Sequence, residues 1–258
     1  MLGGIPGAVS LNVDLGELEA EPDDLYALAT TVNIACGGHA GDATSMARAV
    51  ALAHAAGATI AAHPSYPDRA GFGRTSMVIA LPELRDAIAE QCAALQGAAR
   101  MQDVAAHRAG RARGAATAAA GVVRAVKLHG ALYHDAARDP AIAEAVMEGA
   151  ARGLGVSQVT WIGPGRGALF DLARAAGLPY LREGFADRGL LPDGSLVPRG
   201  QPGALIENPA RAADQALSLA RSGHVETVCV HSDTRGAVAI ARAVRAALLA
   251  AGLLRTTP

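Results

Sequence analysis

Short apolar runs recur along the chain, each followed by a polar, glycine-containing turn and then by a longer segment with helical spacing. The runs are VSLNV (9–13), TVNIA (31–35), ATIAA (58–62), AVKLH (125–129), VTWIG (159–163), PYLRE (179–183) and TVCVH (227–231). Between them, Ala/Leu/Arg-rich segments at 42–56, 82–100, 138–152, 166–176, 209–222 and 233–251 carry the helical period. Residues 20–30 predict a shorter helix, opened by Pro22 and two acids as the helix dipole favours. Gly57, Gly153, Gly177, Gly223 and Gly252 follow periodic stretches and read as helix stops. Strand–helix alternation of this kind predicts a parallel sheet. No linker interrupts it, so the pattern predicts one α/β domain over residues 1–258, closed or nearly closed into a barrel. An open doubly wound sheet is the alternative. Residues 101–121 (MQDVAAHRAGRARGAATAAAG) break the period and read as an extension of the third long helix running into a mobile loop, with His107 on a solvated surface.

Polar residues gather at the C-terminal ends of the apolar runs. The first run leads to Asn12, Asp14 and Glu17, and the second carries Asn33 and continues through Cys36 to His39 and Asp42. His63 follows the third, within a segment that also holds Arg74. The fourth contributes Lys127 and His129, then Tyr133, the sixth Glu183, Asp187 and Arg188, and the seventh His231 and Asp233. In parallel α/β folds these strand ends form one face, where ligands bind. Residues i and i+2 of a strand point to one side, so Asn12 with Asp14, Lys127 with His129, and His231 with Asp233 project together. Each residue alone has a plainer reading: a hydrogen-bonded structural His, Asp42 and Asp233 as helix N-caps, Glu183 with Arg188 as an ion pair. Recurrence at the same end of six strands favours one concave, titratable active site.

Composition narrows the function classes. The 258 residues are 51% hydrophobic with a formal net charge of −1, which allows a large core and offers no basic surface for nucleic acid. The N-terminus lacks the charged and apolar regions of a signal peptide, and no uninterrupted apolar stretch is long enough to span a bilayer. Three scattered cysteines make no disulfide framework, so the sequence predicts a protein of the reducing cytoplasm. Arg occurs 22 times, Lys only at Lys127, and Asn three times. Against that bias Asn12, Asn33 and Lys127 stand out, because Arg does not replace Lys where a compact point charge or a proton-releasing amine is required. No P-loop, HExxH, paired CxxC or G-x-S-x-G elbow is present, and GPGRG (163–167) is only a weak match to a phosphate-cradling turn. Asp14, His39, His63 or His231 could assemble a metal site, and spacing leaves that question open.

Taken together, LNVDLGE (11–17), NIACGGHAGD (33–42), AHPSYPDRAGFGR (62–74), VKLHGALYH (126–134), EGFADR (183–188), LVPRG (196–200) and CVHSD (229–233) resemble the LamB/YcsF family. The motifs occur in the family's order and reach nearly from end to end. The resemblance implies a seven-stranded TIM-like barrel similar to the polysaccharide deacetylases. It also implies the A component of a 5-oxoprolinase, which opens 5-oxo-L-proline to L-glutamate with ATP, and hence Mg2+, together with subunits B and C. The family pattern departs at Val13, Gly38, Ser65, Leu128, His134 and Ser232, where it carries Cys, Phe, Gly, Pro, Asn and Gly. The loss of Phe at Gly38 predicts a more open pocket wall.

Opening a lactam requires stabilisation of charge on its oxygen and an activated water. Lys127 is the candidate to neutralise the oxyanion or a phosphoryl group, and its replacement by Ala is expected to abolish turnover with folding intact. His129, His63 or Asp14 is a candidate general base, with His39 beside them, and His231 with Asp233 an oriented acid. Asn12, Glu17, Asn33, Arg74, Glu183, Asp187 and Arg188 are candidates to hold the substrate, and the helix starting near Asp42 offers backbone donors to an anion. Two rival readings are a metal-dependent amidase or deacetylase working without ATP, and a non-catalytic component that only binds substrate.

Overall fold

The computed structural model describes residues 7–108, 122–191, 195–198 and 200–255, and leaves the side chains of 106–108 undescribed. Seven strands, β1 (Ser10–Leu15), β2 (Thr31–Ala35), β3 (Thr59–His63), β4 (Ala125–Lys127), β5 (Thr160–Gly163), β6 (Tyr180–Phe185) and β7 (Thr227–His231), pair in chain order, all parallel. β1 also pairs with β7, which closes the barrel. Around it run α1 (Asp24–Leu28), α2 (Ala43–Ala56), α3 (Leu81–Arg108), α4 (Gly130–Arg138), α5 (Pro140–Leu154), α6 (Ala168–Ala175), α7 (Pro209–Ser222) and α8 (Ala237–Ala250). The barrel is the alternative that the uninterrupted alternation favours over an open sheet. No helix among the described residues is long and apolar enough to cross a membrane.

The period of two along each strand divides the barrel into two layers. Leu11, Val13, Val32, Ile34, Val126, Val228 and Val230 join the large apolar layer beneath the helices. On one side of the interior, Ala61, Ala125 and Ile162 form a separate small cluster with Leu181 packed on it. The other inward positions, Asn12, Asp14, Asn33, Lys127, Glu183 and Cys229, are polar or titratable and buried. A barrel interior is normally filled by aliphatic layers. Here the C-terminal half is filled by charge.

Two helix features depart from the hydrophobic reading. α4 is absent from that reading, because Gly130 at its start lies in the left-handed region (φ 58°) and breaks the pattern. A side chain there would collide with the backbone carbonyl of Gly73. Asp139 then caps α5 by accepting from Ala141 N, with Pro140 at the first helical position. The helix stop in this region is Gly155 (φ 67°), not Gly153. Gly153 and Gly149 lie inside α5, where a Cβ would strike the carbonyls of Ala89 and Arg85, so these glycines let α5 pack closely on α3. α3 extends to Arg108, in line with its expected extension, while the loop expected after it and the His107 side chain lie outside the described residues.

Candidate active site

The floor of the site is a hydrogen-bonded ladder across three strands. Asn12 Nδ2 donates to Thr227 Oγ1 (2.8 Å), and Asn33 Nδ2 donates to Asn12 Oδ1 (2.7 Å) and Asp14 Oδ1 (2.8 Å). The register that sets Asp14 opposite both Asn33 and His231 makes this possible. Both asparagines are wholly buried. Expected as substrate contacts, they hold Asp14 and Lys127 through Asn33 Nδ2 and Asn12 Oδ1, while Asn33 Oδ1 is buried without a hydrogen-bond partner among the described residues.

Above the floor sits Lys127. Its Nζ is 2.8 Å from Asp14 Oδ1, 3.3 Å from Asn12 Oδ1 and 3.0 Å from Cys229 Sγ. Glu183 Oε1 lies 2.8 Å away as an ion pair, out of hydrogen-bond alignment. Burial favours the neutral amine, but Asp14, the Cys229 thiol and Glu183 outweigh it and hold the ammonium well above lysine's ordinary range. For Asp14, burial opposes ionisation, yet Lys127, His63 and His231 keep its carboxyl well below the usual range. A charge that pairs with two buried carboxylates is part of the fold. The sequence leads one to expect that Ala can replace Lys127 with folding intact; the buried pairing predicts instead a loss of stability.

Beside Lys127, three imidazoles surround Glu17. Gly16 (φ 76°) turns the chain at the end of β1, with its N–H donating to Glu21 Oε2 (2.7 Å), and this aims Glu17 inward. Glu17 Oε1 is 3.1 Å from His39 Nε2, 3.1 Å from His129 Nδ1 and 3.5 Å from His63 Nε2. The His39 and His129 rings stack at 3.6 Å between centroids. Burial works against the Glu17 anion, but the three histidines around it hold its carboxyl well below the usual range. Burial pushes His39 down to about 4, with His129 and His63 as unfavourable neighbours, and it lowers His129 as well. His63 goes the other way: burial pulls it down, but Asp14 and Glu17 prevail and raise it to about 9.

On the opposite side of Lys127, His231 Nδ1 is 2.9 Å from Asp187 Oδ1, while Nε2 faces Asp14 Oδ2 at 3.7 Å. Asp187 is wholly buried and also accepts from His231 N (2.9 Å) and Thr234 Oγ1 (2.7 Å). The sequence pairs His231 with Asp233 as its orienting partner and gives Asp187 to the substrate. The structure reverses the two. Asp233 is at the rim, its Oδ2 accepting from Arg74 Nη2 (2.6 Å), and helix α8 is capped at Gly236 instead. Arg74 also lies over the Phe72 ring (4.7 Å). Phe72 is the only non-glycine at positive φ (55°) among the described residues, and its ring closes over His39 and His129.

Other expectations are settled by packing. The Asp42 carboxylate accepts from Ser45 N and Ser45 Oγ accepts from Asp42 N, so α2 caps itself and offers no anion site. Gly38 does not open the pocket wall. A Cβ there would strike Gln91 and Ser65, and Gln91 fills the space by accepting from Ser65 N (3.0 Å) and donating to Ser65 O (2.9 Å). Cys36 is a packed thiol that burial pushes up to about 12. In GPGRG, Gly167 (φ 99°) abuts the Ala137 carbonyl of α4, which accounts for that glycine by packing. Glu183 pairs with Lys127, while the buried Arg188 donates through Nε to Ala204 O (3.3 Å).

Cys229, Phe72, Phe185 and Thr234 join the site without standing out in the sequence, and Tyr133, which follows the fourth apolar run, joins it as well. Inward strand parity, two residues ahead of His231, is the available signal for Cys229. Phe185 stacks on His231 (5.6 Å between centroids) and lies 5.7 Å from Lys127 Nζ. Tyr133 Oη and both Glu183 carboxylate oxygens are buried with no hydrogen-bond partner among the described residues.

Comparison with known proteins accords with this arrangement. The chain is 42% identical to the 5-oxoprolinase A subunit of Methylococcus capsulatus, over 95% of this chain and 94% of that one. It is 37% identical to the corresponding 5-oxoprolinase component of Limosilactobacillus fermentum, over 95% and 97% of the two. The crystal structure of the lactam utilization protein from Thermus thermophilus superposes with a TM-score of 0.79 at 31% identity, covering 96% of this chain and 99% of that one. The LamB/YcsF family model matches residues 9–257, and the chain belongs to the LamB/YcsF family.

Proposed function

We propose that this protein is the A component of a 5-oxoprolinase, a hydrolase that opens 5-oxo-L-proline to L-glutamate within an assembly completed by subunits B and C. The observation that carries the reading is the buried pair of Tyr133 Oη and the Glu183 carboxylate, which face each other with neither in an aligned hydrogen bond among the described residues, beside the Lys127 ammonium. A five-membered lactam offers one ring N–H donor and one carbonyl acceptor. Glu183 can accept from the ring N–H and Tyr133 can donate to the carbonyl oxygen, while Lys127 stabilises negative charge developing on that oxygen. Phe185 supplies the flat apolar wall.

His231 is the group placed to move a proton, with Asp187 fixing its tautomer so that Nε2 faces the reacting atoms and Asp14. In this reading Asp187 is a positioning residue. The sequence carries no P-loop, and the helix start at Asp42 caps itself, so neither usual phosphate cradle is offered here. ATP, with its Mg2+, is accordingly handled by a partner component of the assembly. Calorimetric titration tests the reading with the isolated protein: 5-oxo-L-proline should bind it, and Tyr133→Phe should weaken binding by about 1–3 kcal/mol. Equal affinity for 5-oxoproline and for an open-chain, non-lactam analogue would contradict it.

A further inference from the structure

Glu17, His39, His63 and His129 bring four ligand-type atoms to one point, and the surrounding backbone fixes which atoms carry hydrogen. His63 Nδ1 lies 2.8 Å from Lys127 O, and His129 Nε2 lies 3.0 Å from Phe72 O. A carbonyl only accepts, so both nitrogens are N–H donors. In the neutral rings the other nitrogens, His63 Nε2 and His129 Nδ1, are bare lone pairs, and they face each other at 3.0 Å. Glu17 Oε1, a third acceptor, stands 3.1 Å from one and 3.5 Å from the other. All four side chains are buried. Acceptors do not converge in a dry site without a positive centre between them.

A proton on His63 would bridge to His129 but would leave His129 Nδ1 and Glu17 Oε1 at 3.1 Å with no hydrogen between them, and a proton on His129 would have to be shared between His63 Nε2 and Glu17 Oε1. A divalent ion satisfies every contact at once. Four ligands at Zn2+ bond lengths stand about 3.3 Å apart in a tetrahedron; four of the six separations here run from 3.0 to 3.5 Å, and all six lie within 4.8 Å. The outward N–H to a backbone carbonyl is also how ligating imidazoles are held. His39 lacks that support, since its Nδ1 is buried without a partner among the described residues. The nearby Asp14, Cys229 and His231 form a second donor group, but the Lys127 ammonium already stands among them, 3.0 Å from Cys229 Sγ.

We infer that Glu17 Oε1, His39 Nε2, His63 Nε2 and His129 Nδ1 form a divalent-metal site, with Zn2+ the ion that three imidazoles and one carboxylate fit best. The site adjoins the lactam pocket proposed above, and the inference stands independently of that substrate.

Metal uptake by the purified full-length protein tests it. Protein stripped with a chelator and dialysed against Zn2+ or Co2+ should retain one equivalent per chain, and the cobalt form should show the strong visible bands of a four-coordinate ion. His63→Ala and His129→Ala should weaken binding beyond the roughly 10–100-fold that loss of a supporting residue costs, with a smaller effect for His39→Ala. Glu17→Gln, which keeps the side chain's shape, covers the case of an alanine variant that fails to fold. Failure of the stripped wild-type protein to take up either ion overturns the inference. So does a pale six-coordinate cobalt spectrum, or a thiolate-to-cobalt charge-transfer band, which would move the ion to Cys229. Uptake without 5-oxoproline binding supports this inference and contradicts the lactam reading. Lactam binding by a protein that takes up no ion does the reverse.

Discussion

Lys127 Nζ stands 2.8 Å from Asp14 Oδ1 and equally 2.8 Å from Glu183 Oε1, so one buried ammonium pairs with two buried carboxylates. Removing one partner of such a group strands the others without compensation. Lys127→Ala should therefore lower unfolding stability by about 3–5 kcal/mol, measured by urea denaturation. Adding Glu183→Gln and Asp14→Asn should recover much of that loss, because the stranded charges are then gone. An unchanged urea midpoint for Lys127→Ala would refute the structural role given to the ammonium.

Gln91 occupies the space that the family pattern gives to Phe at position 38. Gln91→Ala leaves the buried Ser65 N–H and carbonyl without their partners and should cost about 1–3 kcal/mol in thermal unfolding. Gly38→Phe alone should destabilise by collision. Combined with Gln91→Ala and Ser65→Gly it should be tolerated, a coupling with sign opposite to the single changes. Additive losses across the three sites would show that Gln91 is no substitute for the ring.

Asp187 and His231 link stability to pH in opposite directions. Burial disfavours the Asp187 anion, but His231, its backbone N–H and Thr234 outweigh that and lower the carboxyl. Its contribution is complete above the unfolded value of about 3.9 and disappears as pH falls through the folded value. Burial likewise opposes the His231 cation, yet Asp187 and Asp14 raise it, so its contribution is complete below about 6.5 and is lost as pH rises through the folded value. The melting-temperature difference between wild type and Asp187→Asn should peak between about pH 4 and 6.5 and narrow on both sides. A difference that is flat from about pH 3 to 9 would show the pair to be electrostatically idle.

The Arg74–Asp233 pair sits at the rim with Arg74 substantially exposed, so Arg74→Ala should change global stability by no more than about 1 kcal/mol. Its effect should be local: faster amide hydrogen exchange around Phe72, whose ring Arg74 covers. Exchange at Phe72 equal to wild type would remove the pair from any part in holding the mouth shut.

Much of this is legible in the chain without its structure. The seven apolar runs all become strands because β-branched residues at outward positions face a continuous helix layer, and that period survives any tertiary detail. The polar strand ends gather at one mouth, since closure of a parallel barrel leaves them nowhere else to go. Pairings within the mouth are less legible. Strand parity puts His231 and Asp233 on one side, but β7 ends at His231, and the chain beyond it carries Asp233 out to Arg74. Parity also does not say that Asn12 and Asn33 join each other as a floor, because this depends on the register between β1, β2 and β7. α4 escapes because its first residue, Gly130, is a turn-former by composition and a helix opener only in the company of Gly73.

The central claim is that this barrel opens 5-oxoproline as one component of a larger assembly, and a reconstituted assay addresses it directly. 5-Oxo-L-proline, ATP and Mg2+ are incubated with this chain and its candidate B and C partners, and glutamate and phosphate are followed together. Glutamate should form with all components present, fail to form when this chain is omitted, and drop sharply when His231→Asn replaces it. Glutamate production at the full rate without this chain would contradict the account.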